Sequence, residues 1–102
     1  MTTPAFRASS FQDHVNEVFG VSESTEGSSA PLELSLKSVT TWGPAVGEGQ
    51  RQPFSIILHG PLEPVLAQRV YRFEHPAMGL FDIFIVPIGP AAGAMQYEAV
   101  FA

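Results

Sequence analysis

Residues 53–101 read PFSIILHGPLEPVLAQRVYRFEHPAMGLFDIFIVPIGPAAGAMQYEAVF, and this half of the chain decides the fold. Four apolar-rich runs, PFSIILHG, RVYRFEH, LFDIFIVPIG and MQYEAVF, follow one another with only short turn segments between them. Runs rich in Phe, Ile, Val and Tyr that alternate with a period of two are the mark of β-strands. Parity then assigns their faces. Phe54, Ile56, Leu58, Tyr71, Phe73, Phe81, Ile83, Ile85, Tyr97, Ala99 and Phe101 share one side, which is consistently apolar. The other side is mixed: Ile57, Leu80, Phe84, Val86 and Val100 stand among Ser55, Arg72, Glu74, Asp82 and Glu98.

A solvated outer face of an antiparallel sheet alternates to polar residues more cleanly than this. The mixed face therefore predicts a cover, either a docked N-terminal helix or another subunit. Trp42, Ile57, Leu80, Phe84, Val86 and Val100 are the candidate interface residues, with Trp42 expected to be partly buried, or a contact anchor if it is exposed.

Working outward, Gly-Pro pairs at Gly43-Pro44, Gly60-Pro61 and Gly89-Pro90 read as strand stops. Pro87 falls inside a strand pattern, which requires an edge or a bulge there. Upstream, Leu32, Leu34 and Leu36 alternate with Glu33, Ser35 and Lys37, and the alternation slips near Ser38, the place for a bulge. Segment 21–26 reads as a short strand or arm, 26–29 as a turn, and 45–52 as a Gly-rich, polar loop. Phe11, Val15, Val18 and Phe19 are spaced as one helical stripe, with Ser10 as N-cap and Gly20 as stop, so a short helix is expected over 10–20, docked on the rest. The expected fold is all-β, a mainly antiparallel small barrel or sandwich of about six strands with one short N-terminal helix, forming a single domain over 1–102.

Composition removes several function classes. Five Lys and Arg against ten Asp and Glu give a formal net charge of −5, and the basic residues are scattered. Nucleic-acid binding needs a clustered basic face, so it is not expected. No Cys is present, which excludes disulfides, thiolate metal sites and Cys nucleophiles. No signal-peptide pattern opens the sequence, and no run of about 20 apolar residues suggests membrane insertion.

Residue patterns that carry chemistry are equally spare. His14, His59 and His75 show no metal-binding spacing, although His59 and His75 would be neighbours if their strand ends paired. No serine lies in G-x-S-x-G, and Gly47-Glu48-Gly49 lacks a third glycine and a strand-to-helix setting, so no catalytic residue, metal or cofactor is assigned. Glu74, Asp82, Glu98 and Arg72 read as a cross-strand charge pattern.

Some residues carry a resemblance. They are Phe54-Ser55, Gly60-Pro61, Tyr71-Arg72, His75-Pro76, Gly79, the run Phe84-Ile85-Val86-Pro87-Ile88-Gly89-Pro90, and Tyr97 to Phe101. With the opening FQDHVNEVFGV, they resemble an uncharacterised bacterial family of domains of about this length, with no function assigned. The family's opening pattern has a glycine after the Val, where this chain has Asn16. The resemblance implies no catalytic residues, and it implies an association with phage-tail-like proteins of the tail-collar type. The expected function is a non-enzymatic structural or interaction protein, a self-associating or partner-binding subunit of a phage-tail-like or extracellular assembly. The alternative is a small β-barrel binding an apolar ligand.

Overall fold

The computed structural model describes residues 6–23, 32–43, 52–63 and 65–101. In chain order these form α1 (Ala8–Gln12), β1 (Val18–Glu23), β2 (Leu32–Thr41), β3 (Phe54–Gly60), β4 (Arg69–His75), β5 (Gly79–Ala91) and β6 (Ala94–Phe101). The strands close into an antiparallel barrel in the order β1-β2-β3-β6-β5-β4. Closure is made by β1 on β4, with Gly20 opposite Glu74 and Glu23 opposite Tyr71. The fold is thus an all-β barrel with one short N-terminal helix. The turn expected at 26–29 and most of the segment 45–52 lie outside the described residues.

Parity sorts inside from outside as the sequence predicts. Phe54, Ile56, Leu58, Tyr71, Phe73, Phe81, Ile83, Ile85, Tyr97, Ala99 and Phe101 all point inward and are buried, joined by Phe19, Val21, Leu34 and Leu36 from β1 and β2. Each large side chain so buried contributes about 1.5–3 kcal/mol of transfer free energy. In a barrel of few strands these side chains fill the axis.

Two breaks in the alternation are structural. The register of β2 on β3 shifts between Leu36 and Ser38, which places the expected bulge at Lys37 and returns Val39 to the core side. The register of β5 on β6 shifts between Pro87 and Gly89. Pro87, which has no N–H to give, lies just beyond Ile85, where the pairing of β5 with β4 has ended. Gly89-Pro90 does not stop its strand, contrary to the sequence reading: Gly89 (φ 110°) belongs to the bulge, and β5 continues to Ala91. The stop is the next turn, where Ala92 (φ 53°) and Gly93 (φ 79°) form the mirror-image two-residue connection that suits hairpin twist. Gly60 is required for a different reason. A Cβ there would run into the fully buried Leu34 side chain.

The N-terminal helix is shorter than the stripe suggests. It covers Ala8–Gln12 and not 10–20; Arg7 is its N-cap residue and Ser10 lies within it, its hydroxyl accepting the Arg7 N–H at 3.1 Å. Val18 and Phe19 belong to β1, Val18 facing outward and Phe19 inward. The apolar spacing fits both periods here, and the backbone at Asn16 settles it: φ is 75°, a left-handed value that no helix continues through. Asn is among the few residues that tolerate this conformation, and a glycine would do so more readily.

Described residues pack at both barrel mouths. At one, Phe11 from α1 reaches inward to Phe54, Phe81, Phe101 and Phe19 at ring distances of 6.0, 6.2, 5.6 and 6.5 Å, and Phe6 packs on Phe11 and Phe81. At the other, the β3–β4 connection is tied down by two tyrosines. The Tyr97 hydroxyl accepts the Leu66 N–H at 2.8 Å, and the Tyr71 hydroxyl donates to the Ala67 carbonyl at 2.8 Å.

Candidate functional site

The mixed face is the outer wall of the barrel. The helix does not cover it, because Phe11 is taken up by the mouth. Phe84 is 48% exposed, Val100 58% and Leu80 65%. Phe84 stands opposite Val70 on β4, and both line a slot of about 180 Å3 with Val100 and Asp82; Ile83 and Phe101 from the inner layer form part of its floor. The slot exists because β5 changes partner. From Gly79 to Ile85 it pairs with β4, and from Val86 to Ala91 with β6. Beyond Val86 and Glu98 the β5–β6 ladder stops, while β6 stays paired with β3 through Phe101.

The other sequence-predicted residues fall around this centre or away from it. Val86 and Ile57 flank Glu98 from either side, one on β5 and one on β3, and both are half-buried. Leu80 lies four residues along β5 from Phe84, opposite Glu74. Trp42 is elsewhere, just past the end of β2, where its N–H donates to the Pro53 carbonyl at 3.1 Å; it is 43% exposed, a little over half covered. Phe84, Val100, Val86 and Ile57 therefore form one patch, with Leu80 at its margin and Trp42 outside it. Parity puts Val70 on the same side as Arg72 and Glu74, but it is missing from the interface candidates, since its place beside Phe84 depends on which residue of β4 lies opposite.

A charged pair borders the patch. Arg72 and Asp82 are opposite one another on β4 and β5 and join by two hydrogen bonds, Nε to Oδ1 at 3.1 Å and Nη2 to Oδ2 at 3.3 Å. The bond to the Asp82 carboxylate, with its charge, holds the guanidinium above the ordinary arginine range. Asp82 is nearly covered while Arg72 stays half exposed, so the cation is the part presented to solvent.

A second cluster is not legible in the sequence. His14, Glu17 and His75 bring their ligand-type atoms within 4.8 Å of one another. The strand ends of His59 and His75 do not pair. His59 lies on β3 opposite Gln96, toward the mouth bordered by the β3–β4 connection, and His75 ends β4 at the mouth that Phe11 enters. Instead Glu17 Oε1 lies 2.8 Å from His14 Nδ1 and 2.7 Å from His75 Nε2. His75 Nδ1 accepts backbone N–H groups from Ala77 at 3.0 Å and Met78 at 3.3 Å. That assigns the ring proton to Nε2, where it is donated to Glu17. A metal would need the same Nε2 lone pair and would put a proton on Nδ1, against two backbone donors. The cluster therefore works as a hydrogen-bonded clamp between the α1–β1 connection and the β4–β5 turn. The bonds from His14 and then His75 lower the Glu17 carboxyl below its ordinary range. Among the described hydrogen bonds, none joins the cluster to a Ser or Thr hydroxyl.

The chain belongs to the family of a domain of unknown function, DUF6916, whose model matches residues 6–101. No curated protein and no solved structure matches it.

Proposed function

We propose that this member of the family is a non-enzymatic interaction protein that docks other protein through the outer wall around Phe84, as a subunit of a larger assembly of the phage-tail-like or extracellular kind. One observation carries the reading. A barrel whose described core is already filled still presents Phe84, Val100, Val70, Val86 and Ile57 together on its outside. Apolar side chains gathered around a polar rim are the composition of a contact surface. The phage-tail setting has as its support the resemblance of the sequence motifs.

The alternative, an enclosed apolar ligand, finds the barrel axis occupied: Tyr97, Phe73, Ile56, Leu58, Leu34 and Ile85 are each 1% exposed or less. The slot of about 180 Å3 is smaller than the roughly 300 Å3 at which small-molecule sites begin.

The test is site-specific photo-crosslinking in the producing cell, from Val100 on the patch and from Lys37 at the β2 bulge as control. The expected result is one stoichiometric protein adduct from Val100 alone, identified by mass spectrometry. It should be reproduced with both proteins purified and lost in Phe84→Glu. Equal background at the two positions, in a chain with unchanged circular dichroism, would overturn the docking role.

A further inference from the structure

The geometry points to a second copy of this chain as the occupant of the patch, in a two-fold dimer centred on Phe84. The inference rests on the docking role proposed above and names the partner. On β5, Asp82 and Val86 stand two residues to either side of Phe84. Arg72 lies beside Asp82 on β4, and Glu98 lies beside Val86 on β6. A cation and an anion therefore sit diagonally opposite one another across Phe84. Each is about 8 Å away, from the strand spacing and the rise per residue.

A surface with that arrangement is complementary to itself. In an isologous contact each residue i meets residue j of the other copy, and j meets i. A two-fold axis through Phe84, lying in the plane of contact and perpendicular to the Arg72–Glu98 diagonal, lays Arg72 of each copy on Glu98 of the other. The same axis brings the two Phe84 rings together over the apolar centre. Arg72 uses two N–H groups on Asp82, and a guanidinium has five, so it can bond a second carboxylate without releasing the first. The Asp82 carboxylate fixes the guanidinium in place, which lowers the ordering cost of the intermolecular pair.

The slot lies immediately beside Phe84, between β5 and β6, and so falls within the same contact.

Sedimentation of the purified protein with a charge-exchange pair tests the dimer. The wild type should show concentration-dependent dimerisation, and Phe84→Glu should weaken it at least about 30-fold, the loss given by a contact hot spot. Arg72→Glu and Glu98→Arg should each be monomeric alone, and a one-to-one mixture should recover a heterodimer. In the mixture the two-fold sets the carboxylate introduced in one variant against the guanidinium introduced in the other, and the second contact keeps its native Arg72–Glu98 pair. A wild type that stays at 11.0 kDa up to about 500 µM overturns the dimer, and so does a mixture of the two folded variants that stays monomeric. If Arg72→Glu unfolds, Phe84→Cys replaces it. The chain has no cysteine, so oxidation should link two copies through the axis position, and Lys37→Cys should not. Equal linking at both positions overturns the inference. A monomer that still yields a specific Val100 adduct with a different protein overturns the dimer and leaves the docking role standing.

Discussion

Phe81 and Phe84 lie three residues apart on one strand and meet opposite conditions. Phe81 is buried among Phe6, Phe11, Phe19 and Phe73, at ring distances of 4.8 to 6.2 Å. With Phe54 and Phe101, stacked at 4.6 Å, these make seven of the eight phenylalanines in one connected inner cluster. Phe84 is the eighth, half exposed on the outer wall. The inner rings are held by the fold and hold it in return. The outer ring serves no contact that closes the barrel, so its hydrophobic free energy is available to a partner. The two seams of β6 carry the same contrast in backbone form. Its ladder with β3 runs without a break from Phe54–Phe101 to Gly60–Met95, and its ladder with β5 ends at Val86–Glu98.

The sharpest way to break this comparison is to truncate one ring on each side. Phe11→Ala should cost about 3–5 kcal/mol in urea unfolding, since it opens a cavity in the mouth of the barrel. Gly60→Ala should follow at about 1–3 kcal/mol, because Leu34 has no room to yield; a smaller loss would mean that the inner layer is looser than its burial suggests. Tyr97→Phe, which strips the hydroxyl from the Leu66 N–H, should cost about 1 kcal/mol and raise hydrogen exchange at that amide. Phe84→Ala should change stability by no more than about 0.5 kcal/mol, and a large loss would place Phe84 with the inner seven. On the backbone side, amides of 83–85 and 99–101 should exchange faster than those of 56–58, and equal protection would remove the distinction between the seams.

The clamp adds a dependence on pH whose sign follows from the lowered Glu17 carboxyl. A group whose folded pKa is depressed stabilises the fold above its ordinary value and loses that contribution as pH falls through the folded value. The urea midpoint should therefore decline as acid is added, starting near the ordinary value of 4.5 and continuing below it, and Glu17→Gln should flatten that part of the curve.

Much of the architecture is written in a period of two. Every inward residue assigned by parity between Phe54 and Phe101 is buried, and the slips at Ser38 and Pro87 mark real bulges. The length of the helix is misread because Phe11, Val15, Val18 and Phe19 satisfy a helical stripe while Phe19 and Val21 also satisfy a strand, and only the left-handed Asn16 separates the two. Phe84, Val86, Val100 and Ile57 are legible as a face, since parity is local. The position of Val70 opposite Phe84 is not, and neither is the meeting of Glu17 with His75, because each needs the pairing of strands distant or unaligned in sequence. Trp42 shares the apolar character of the patch without sharing its place, and composition alone cannot tell the two apart.

The ladder between β1 and β4 has a consequence for how the chain reaches this state. β4–β5 and β5–β6 are hairpins across three and two residues and can form early, whereas Gly20 must find Glu74 across more than half the molecule. The entropy of closing so long a loop is met before its contacts repay it, so barrel closure belongs to the slow end of folding. Until it happens, the strand that will become the last wall is an open edge, and the time the nascent chain spends in that condition sets how much of it is lost to aggregation.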